Sequence, residues 1–311
     1  MPSWFQKLRT RWRQRGRPLS LSEQYDKIAK ELSPHELQSS RDDWGLTEAD
    51  LFGDLVDTGS RSRRVSGYYS KRGVELALER FGLFDKVRER GFSDLRLSID
   101  LDDPKRQHIT LHAMKGREEH LLMDLMTGRG LRQAPVGLEP PDDLELHSIE
   151  WMMLQNPTKE FPPDHPRWPG QEHPGLGLNE EVMLLHVQSA KILELDGVVN
   201  HPSRYHVAVI GRGRNWFLEP EIQGRFDALQ EALSALELSE ATWKMERAEV
   251  RWADDGTVVE WLPEDYVVPT SDRLVAYFTS KIYEGARAES FARSKQRGIV
   301  VVAQEGQRQG S

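Results

Sequence analysis

The chain has 311 residues, 38% of them hydrophobic and 30% charged, with a formal net charge of −8 and no cysteine. This composition is too apolar for a disordered chain and too polar for an integral membrane protein, and no run approaches the roughly 18 apolar residues of a spanning helix. Without cysteine, a disulfide framework, a thiolate metal site and a cysteine nucleophile are all excluded.

The charge is uneven. Residues 1–17 hold Lys7, Arg9, Arg11, Arg13, Arg15 and Arg17 and no acid, which leaves −14 on the rest of the chain. As a helix, this arm places Trp4, Phe5, Leu8 and Trp12 on one face among arginines. Such a segment suits an anionic membrane surface, a protein groove or its own domain. Nucleic acid is the weaker partner, because the acidic body repels phosphate. No apolar signal-peptide core follows the arginines, so the expected location is cytoplasmic, with peripheral contact at the inner membrane surface as an option.

Residues 18–60 read as a small helical module. Ser20 or Ser22 caps a helix carrying Tyr25, Ile28, Ala29 and Leu32; a short helix follows in SPHELQSS, and another is capped by Thr47. The linker DTGSRSRRVSG then leads to a body over 66–226. YYSKRGVELALERFGLFDKVRERG is predicted as a helix ending at Gly91. DLRLSIDLD, HITLHAM and EHLLMDLMTG form an antiparallel meander, and ELHSIEWMMLQNP, a nearly continuous apolar run, is expected as a central strand buried on both faces. A proline-rich loop runs through HPGLGL into the helix NEEVMLLHVQSAKILELDG, whose first turn carries Glu180 and Glu181. GVVNHP is a strand, SRYHVAVIGRG a short helix and NWFLEPEIQGRF a further strand. In 227–311, a helix precedes a hairpin around Asp254-Asp255-Gly256, and a single helix capped by Ser271 or Asp272 closes the segment. This extension is expected to enlarge the sheet, form a lid or make a homodimer surface.

The order of central strand, glycine-rich loop and helix is similar to the GNAT superfamily of N-acetyltransferases. The resemblance implies an α/β (α+β) fold: a mixed, mostly antiparallel sheet flanked by helices, here with an N-terminal helical arm. It also implies acetyl-CoA or another acyl-CoA as cosubstrate and an amine of a small molecule or protein as acceptor. The pyrophosphate would lie on Gln171, Gly175, Leu176, Gly177, Leu178 and Asn179, where glycines admit a ligand close to the backbone and a helix N-terminus offers free N–H groups. The acidic pair Glu180 and Glu181 would repel it. Aligning Ala208 with the family's helix puts Tyr205 at the usual Asn position and Arg212 at the usual Tyr position. Glu150 on the central strand, with Tyr205 and His206 in NHPSRYH, are the candidate proton carriers.

Other chemistries lack their signatures. No H-x-x-x-H or H-E-x-x-H stands on a helix, no G-x-S-x-G turn is present, and no phosphate loop of Walker type occurs. Trp168, beside Pro169-Gly170, is the one tryptophan placed to line a cleft. The rival to an enzyme is a non-catalytic binding or scaffold protein of the same fold, recruited by the arm.

Overall fold

A computed structural model describes residues 19–39, 64–103, 105–163 and 167–302. The basic arm over 1–17 and the helix expected after Thr47 lie outside the described residues.

The first helix, α1 (Leu21–Glu31), opens with a capping box. Ser20 accepts from the Glu23 backbone N–H at 3.3 Å, and the Glu23 carboxylate accepts from the Ser20 N–H at 2.7 Å. Ser33 and Glu36 repeat it for α2 (Pro34–Gln38). The expected long helix is two: α3 (Lys71–Arg80) and α4 (Leu83–Arg88) are separated at Gly82, whose φ of +75° no helix interior accepts.

Four antiparallel strands follow: β1 (Ser93–Asp103), β2 (Arg106–Lys115), β3 (Glu118–Arg132) and β4 (Leu144–Leu154). A proline-rich loop leads to α5 (Asn179–Ile192), which returns the chain to β5 (Gly197–Asn200), parallel to β4. After α6 (Tyr205–Gly211) comes β6, which covers only Trp216–Phe217. The longer strand expected there stops because Pro220, with no N–H and a helical φ, begins α7 (Pro220–Ala232).

Then come α8 (Leu238–Glu246), β7 (Val250–Trp252) and β8 (Tyr266–Pro269), followed by α9 (Asp272–Phe278), α10 (Lys281–Arg297) and β9 (Ile299–Val301). The main sheet has the order β1-β2-β3-β4-β5-β8-β6, and β7 pairs with β9 in a second, two-stranded sheet. The protein is thus mixed α/β, with a mostly antiparallel seven-stranded sheet flanked by helices.

Three expectations for the C-terminal part change. The body cannot end at 226, which lies inside α7, and β8 sits between β5 and β6 and gives both a partner. The hairpin around Asp254 shrinks to one bridge, Arg251 with Val258, because the second run is drawn away: the Trp261 indole donates to the Pro202 carbonyl at 2.8 Å. The closing helix is split into α9, capped by Ser271, and α10, capped by Ser280.

The described part of 18–60 is no separate module. Tyr25, Leu32 and Leu37 are buried in one core with Phe81, Val87 and Leu122, and Asp26 accepts from Gln188 and Lys191 of α5, each at 2.8 Å. Gly73 allows α3 to touch α2: a Cβ there would lie 1.9 Å from the Leu37 carbonyl oxygen. Gly73→Ala should therefore lower stability in urea by about 1–3 kcal/mol, as overpacking does. Gly285→Ala on α10, where an added Cβ meets nothing within 4 Å, should be neutral or slightly stabilising.

Candidate functional site

Strands β4 and β5 pair over four residues only, from Leu146 with Gly197 to Ile149 with Asn200. There β5 ends, while β4 continues to Leu154 past a bulge. Met126 pairs with Trp151 and Thr127 with Ile149, so Glu150 is the extra residue. Among the described residues, no strand takes the edge of β4 from Glu150 to Met153 that faced β5. The two strands part around a cleft of about 450 Å³, within the usual range for ligand sites.

Met152 and Leu154 of β4, Met183, Leu184 and Val187 of α5, and Val207 and Ile210 of α6 make its walls apolar. At its mouth the loop is stitched to β4: the Leu176 N–H donates to Leu154 at 3.2 Å and the Asn156 N–H to Pro174 at 2.7 Å. Gly177 then turns the chain at φ +71° into α5, whose N-cap residue, Leu178, gives no side-chain cap.

Arg90 fixes this turn from 86 residues away. Its Nε donates to the Leu176 carbonyl at 2.8 Å and one terminal nitrogen to the Gly177 carbonyl at 3.1 Å. In a trans peptide the C=O and the next N–H point in opposite directions, so the N–H groups of Gly177 and Leu178 face away from Arg90. Both acids of the first helical turn are neutralised: Glu181 by Lys86 at 2.6 Å and Glu180 by Arg214 at 3.2 Å. The repulsion expected from the sequence is therefore offset by cations from α4 and from the turn before β6.

Of the sequence-predicted residues, Gln171, Gly175, Leu176, Gly177 and Asn179 line the cleft, whereas the Leu178 side chain is buried in the core and is not part of the lining. His206 lines it too, only 8% exposed, edge-on to Trp168 with ring centres 4.3 Å apart. Burial, aided by the positive charge of Arg204, lowers the His206 pKa to about 4, and its Nδ1 has no hydrogen-bond partner. Asn200, which closes β5, offers a second buried, unpartnered atom, Oδ1.

The other two proton carriers are elsewhere. Tyr205 is buried in an aromatic cluster with Phe226 and Trp261, outside the cleft lining, and burial raises its pKa to about 12. Glu150 is exposed on the sheet and ion-paired with Arg106 at 2.5 Å. Sequence reasoning missed Arg90, Lys86 and Arg214, none of which has a local signature, because only the fold brings them to the loop and the start of α5.

Compared with known proteins, the chain matches no family model, no curated protein and no solved structure. Among the described residues, no three His, Asp or Glu side chains gather where they could hold a metal ion, and no helix is long and apolar enough to cross a membrane.

Three histidines are held neutral by burial: His206, His147 (pKa lowered to about 4) and His186, lowered well below its ordinary value. Unfolded histidine titrates near 6.5, so below that pH the unfolded chain takes up protons that the native chain refuses. His201 acts oppositely: its hydrogen bond to Asp265 raises its pKa, a contribution present at low pH and lost as pH rises. The lowered pKa values of Asp26, Asp196 and Asp265 act with the three buried histidines, and the raised pKa of Glu219 acts with His201. Stability in urea should therefore fall from pH 6.5 toward 4, by about 1.4 kcal/mol per pH unit for each net proton taken up. A flat or rising curve over that interval would contradict this assignment.

Proposed function

We propose that the protein is a divergent GNAT-like, acyl-CoA-dependent N-acyltransferase that moves an acyl group to an amine by direct attack. The observation that carries this reading is the four-residue parallel β4–β5 ladder opening into a cleft with a Gly-x-Gly turn and a helix N-terminus at its mouth. The pantetheine arm of acyl-CoA is an extended chain with two amides, suited to pairing with the unpaired edge of β4 as an added strand does. Its pyrophosphate would rest on the N–H groups from Gly177 into the first turn of α5, where the helix dipole favours an anion. Arg90, Lys86 and Arg214 keep that end from being net negative.

The amine nitrogen attacks the thioester carbon, a C–N bond forms and the C–S bond breaks. The proton lost by nitrogen goes to the departing thiolate. His206, neutral and with a free nitrogen, is the described residue in the cleft best suited to relay it. Its lowered pKa makes it a weak base, so its task is to orient the amine and pass the proton within one encounter.

A second reading, binding without catalysis, is favoured by the positions of Tyr205 and Glu150, neither of which lines the cleft. In that reading the basic arm carries the protein to an anionic membrane surface or partner. Calorimetric titration of acetyl-CoA and CoA into the full chain should show micromolar binding, weakened at least tenfold by Gly177→Glu. His206→Ala should then lower turnover with an amine acceptor while leaving CoA affinity within a few-fold. Tight binding with no turnover across amine acceptors would select the second reading, and no binding at millimolar CoA would overturn both. For the arm, co-sedimentation with anionic vesicles should be lost when the protein starts at residue 18.

A further inference from the structure

A second cavity, of about 110 Å³, lies on the other side of α5, between that helix, α3 and the face of β2, β3 and β4. Its body is apolar, with Leu32, Leu78, Phe81, Met123, Leu125 and Leu185 among its walls. Its polar lining comes from Ser66, Thr127 and His147 on one side and His186, Gln188 and Ser189 of α5 on the other, and the first three belong to a row across the sheet. The Ser66 N–H donates to Gln107 of β2 at 3.4 Å, Gln107 is the cross-strand partner of Thr127 on β3, and Thr127 meets His147 of β4.

One arrangement of protons satisfies every contact of this row. Thr127 donates its one hydroxyl proton to the Ser148 carbonyl at 2.8 Å, so toward the His147 Nε2, 2.9 Å away, it can only accept. The Nε2 therefore carries the proton, which also serves the His186 Nδ1 at 2.7 Å. Burial keeps His147 neutral, so its Nδ1 is left as a lone-pair acceptor. That atom has no partner, and the residue is 2% exposed.

Ser66 supplies an independent observation. It and Gly67 have φ of +52° and +68° in the turn that Tyr68 N–H closes on the Val65 carbonyl, the pattern of a type I′ turn. Serine is a poor choice for the first of these positions, and its hydroxyl, in a residue 4% exposed, is also without a partner. A strained backbone and an unsatisfied hydroxyl coincide at one residue that opens on the cavity. Strained residues cluster at functional sites, and a buried hydroxyl without a protein partner calls for one from elsewhere.

We propose that this cavity is a second binding site, for a small uncharged apolar molecule bearing one hydroxyl, of the class of four-carbon alcohols. The hydroxyl donates to His147 Nδ1, and Ser66 Oγ offers a further hydrogen bond on the same polar row. An apolar cavity of about 150 Å³ is known to take benzene, so about 110 Å³ fits roughly five non-hydrogen atoms. A carboxylate is excluded, because its lone pairs would face that of Nδ1 in an apolar enclosure. The two spaces use different residues of α5, with Leu185, His186 and Ser189 here and Met183, Leu184 and Val187 in the cleft, so occupancy here is read separately from acyl-CoA there.

The test is nitrogen NMR of the full chain labelled at histidine, titrated with butan-1-ol and, in parallel, with n-pentane, which matches it in size but has no hydroxyl. Butan-1-ol should move the His147 Nδ1 resonance in the direction of hydrogen-bond acceptance and leave Nε2 protonated, whereas pentane, which has no proton to donate, should not produce that shift. Leu185→Trp, which fills the space, should abolish the response while the His206 resonances stay in place. The same Nδ1 shift from both probes, an Nδ1 unmoved by butan-1-ol, or no binding of butan-1-ol at tens of millimolar would overturn the proposal, the last result leaving water as the occupant.

Discussion

Two parallel strands that pair for four residues and then separate govern the rest of this structure. Parallel neighbours cannot be joined by a tight turn, so the chain must leave β4, cross over and come back, and α5 is that crossover. The separation leaves the end of β4 without a partner on one side, and backbone groups in such a position must find a partner or a ligand. Part of the edge is taken by the loop at Pro174 and Leu176; the remainder faces the cleft. Strand β8, arriving from a distant part of the chain, holds β5 from its other side and so keeps the opening from closing.

Electrostatics at the cleft mouth depends on pairing across long sequence distances. Glu180 and Glu181 stabilise the start of α5 through its dipole, and each is matched by a cation from another element. Arg90 is spent on backbone carbonyls, which orients the peptide groups of the turn. Deeper in, α5 is buried on nearly every side, with Leu184 toward the cleft and His186 toward the inner cavity, as expected of a helix sandwiched between two compartments.

Much of the fold was legible where one physical signal dominates. The alternation of Leu95, Leu97, Ile99 and Leu101, the nearly continuous apolar run of β4 and the acidic start of α5 each point to the element the structure contains. Errors cluster where a single residue overrides a pattern. Gly82 splits a helix, Pro220 ends a strand and Ser280 starts a new helix inside what reads as a continuous one. The site was half legible: the glycine turn and His206 carry local signals, whereas Tyr205 looks equally polar in sequence and is claimed by an aromatic core. Arg90 and Arg214 could not be found by spacing, since their roles exist only once α4 and the turn before β6 meet the loop.

The most direct measurement is an amide NMR titration of the full chain with CoA. The resonances of Gly177, Leu178 and Asn179 should shift as N–H groups engage the pyrophosphate, with smaller changes along Trp151–Met153 and at His206. Shifts confined to other surfaces, or none at millimolar CoA, would contradict a cleft built to hold that ligand.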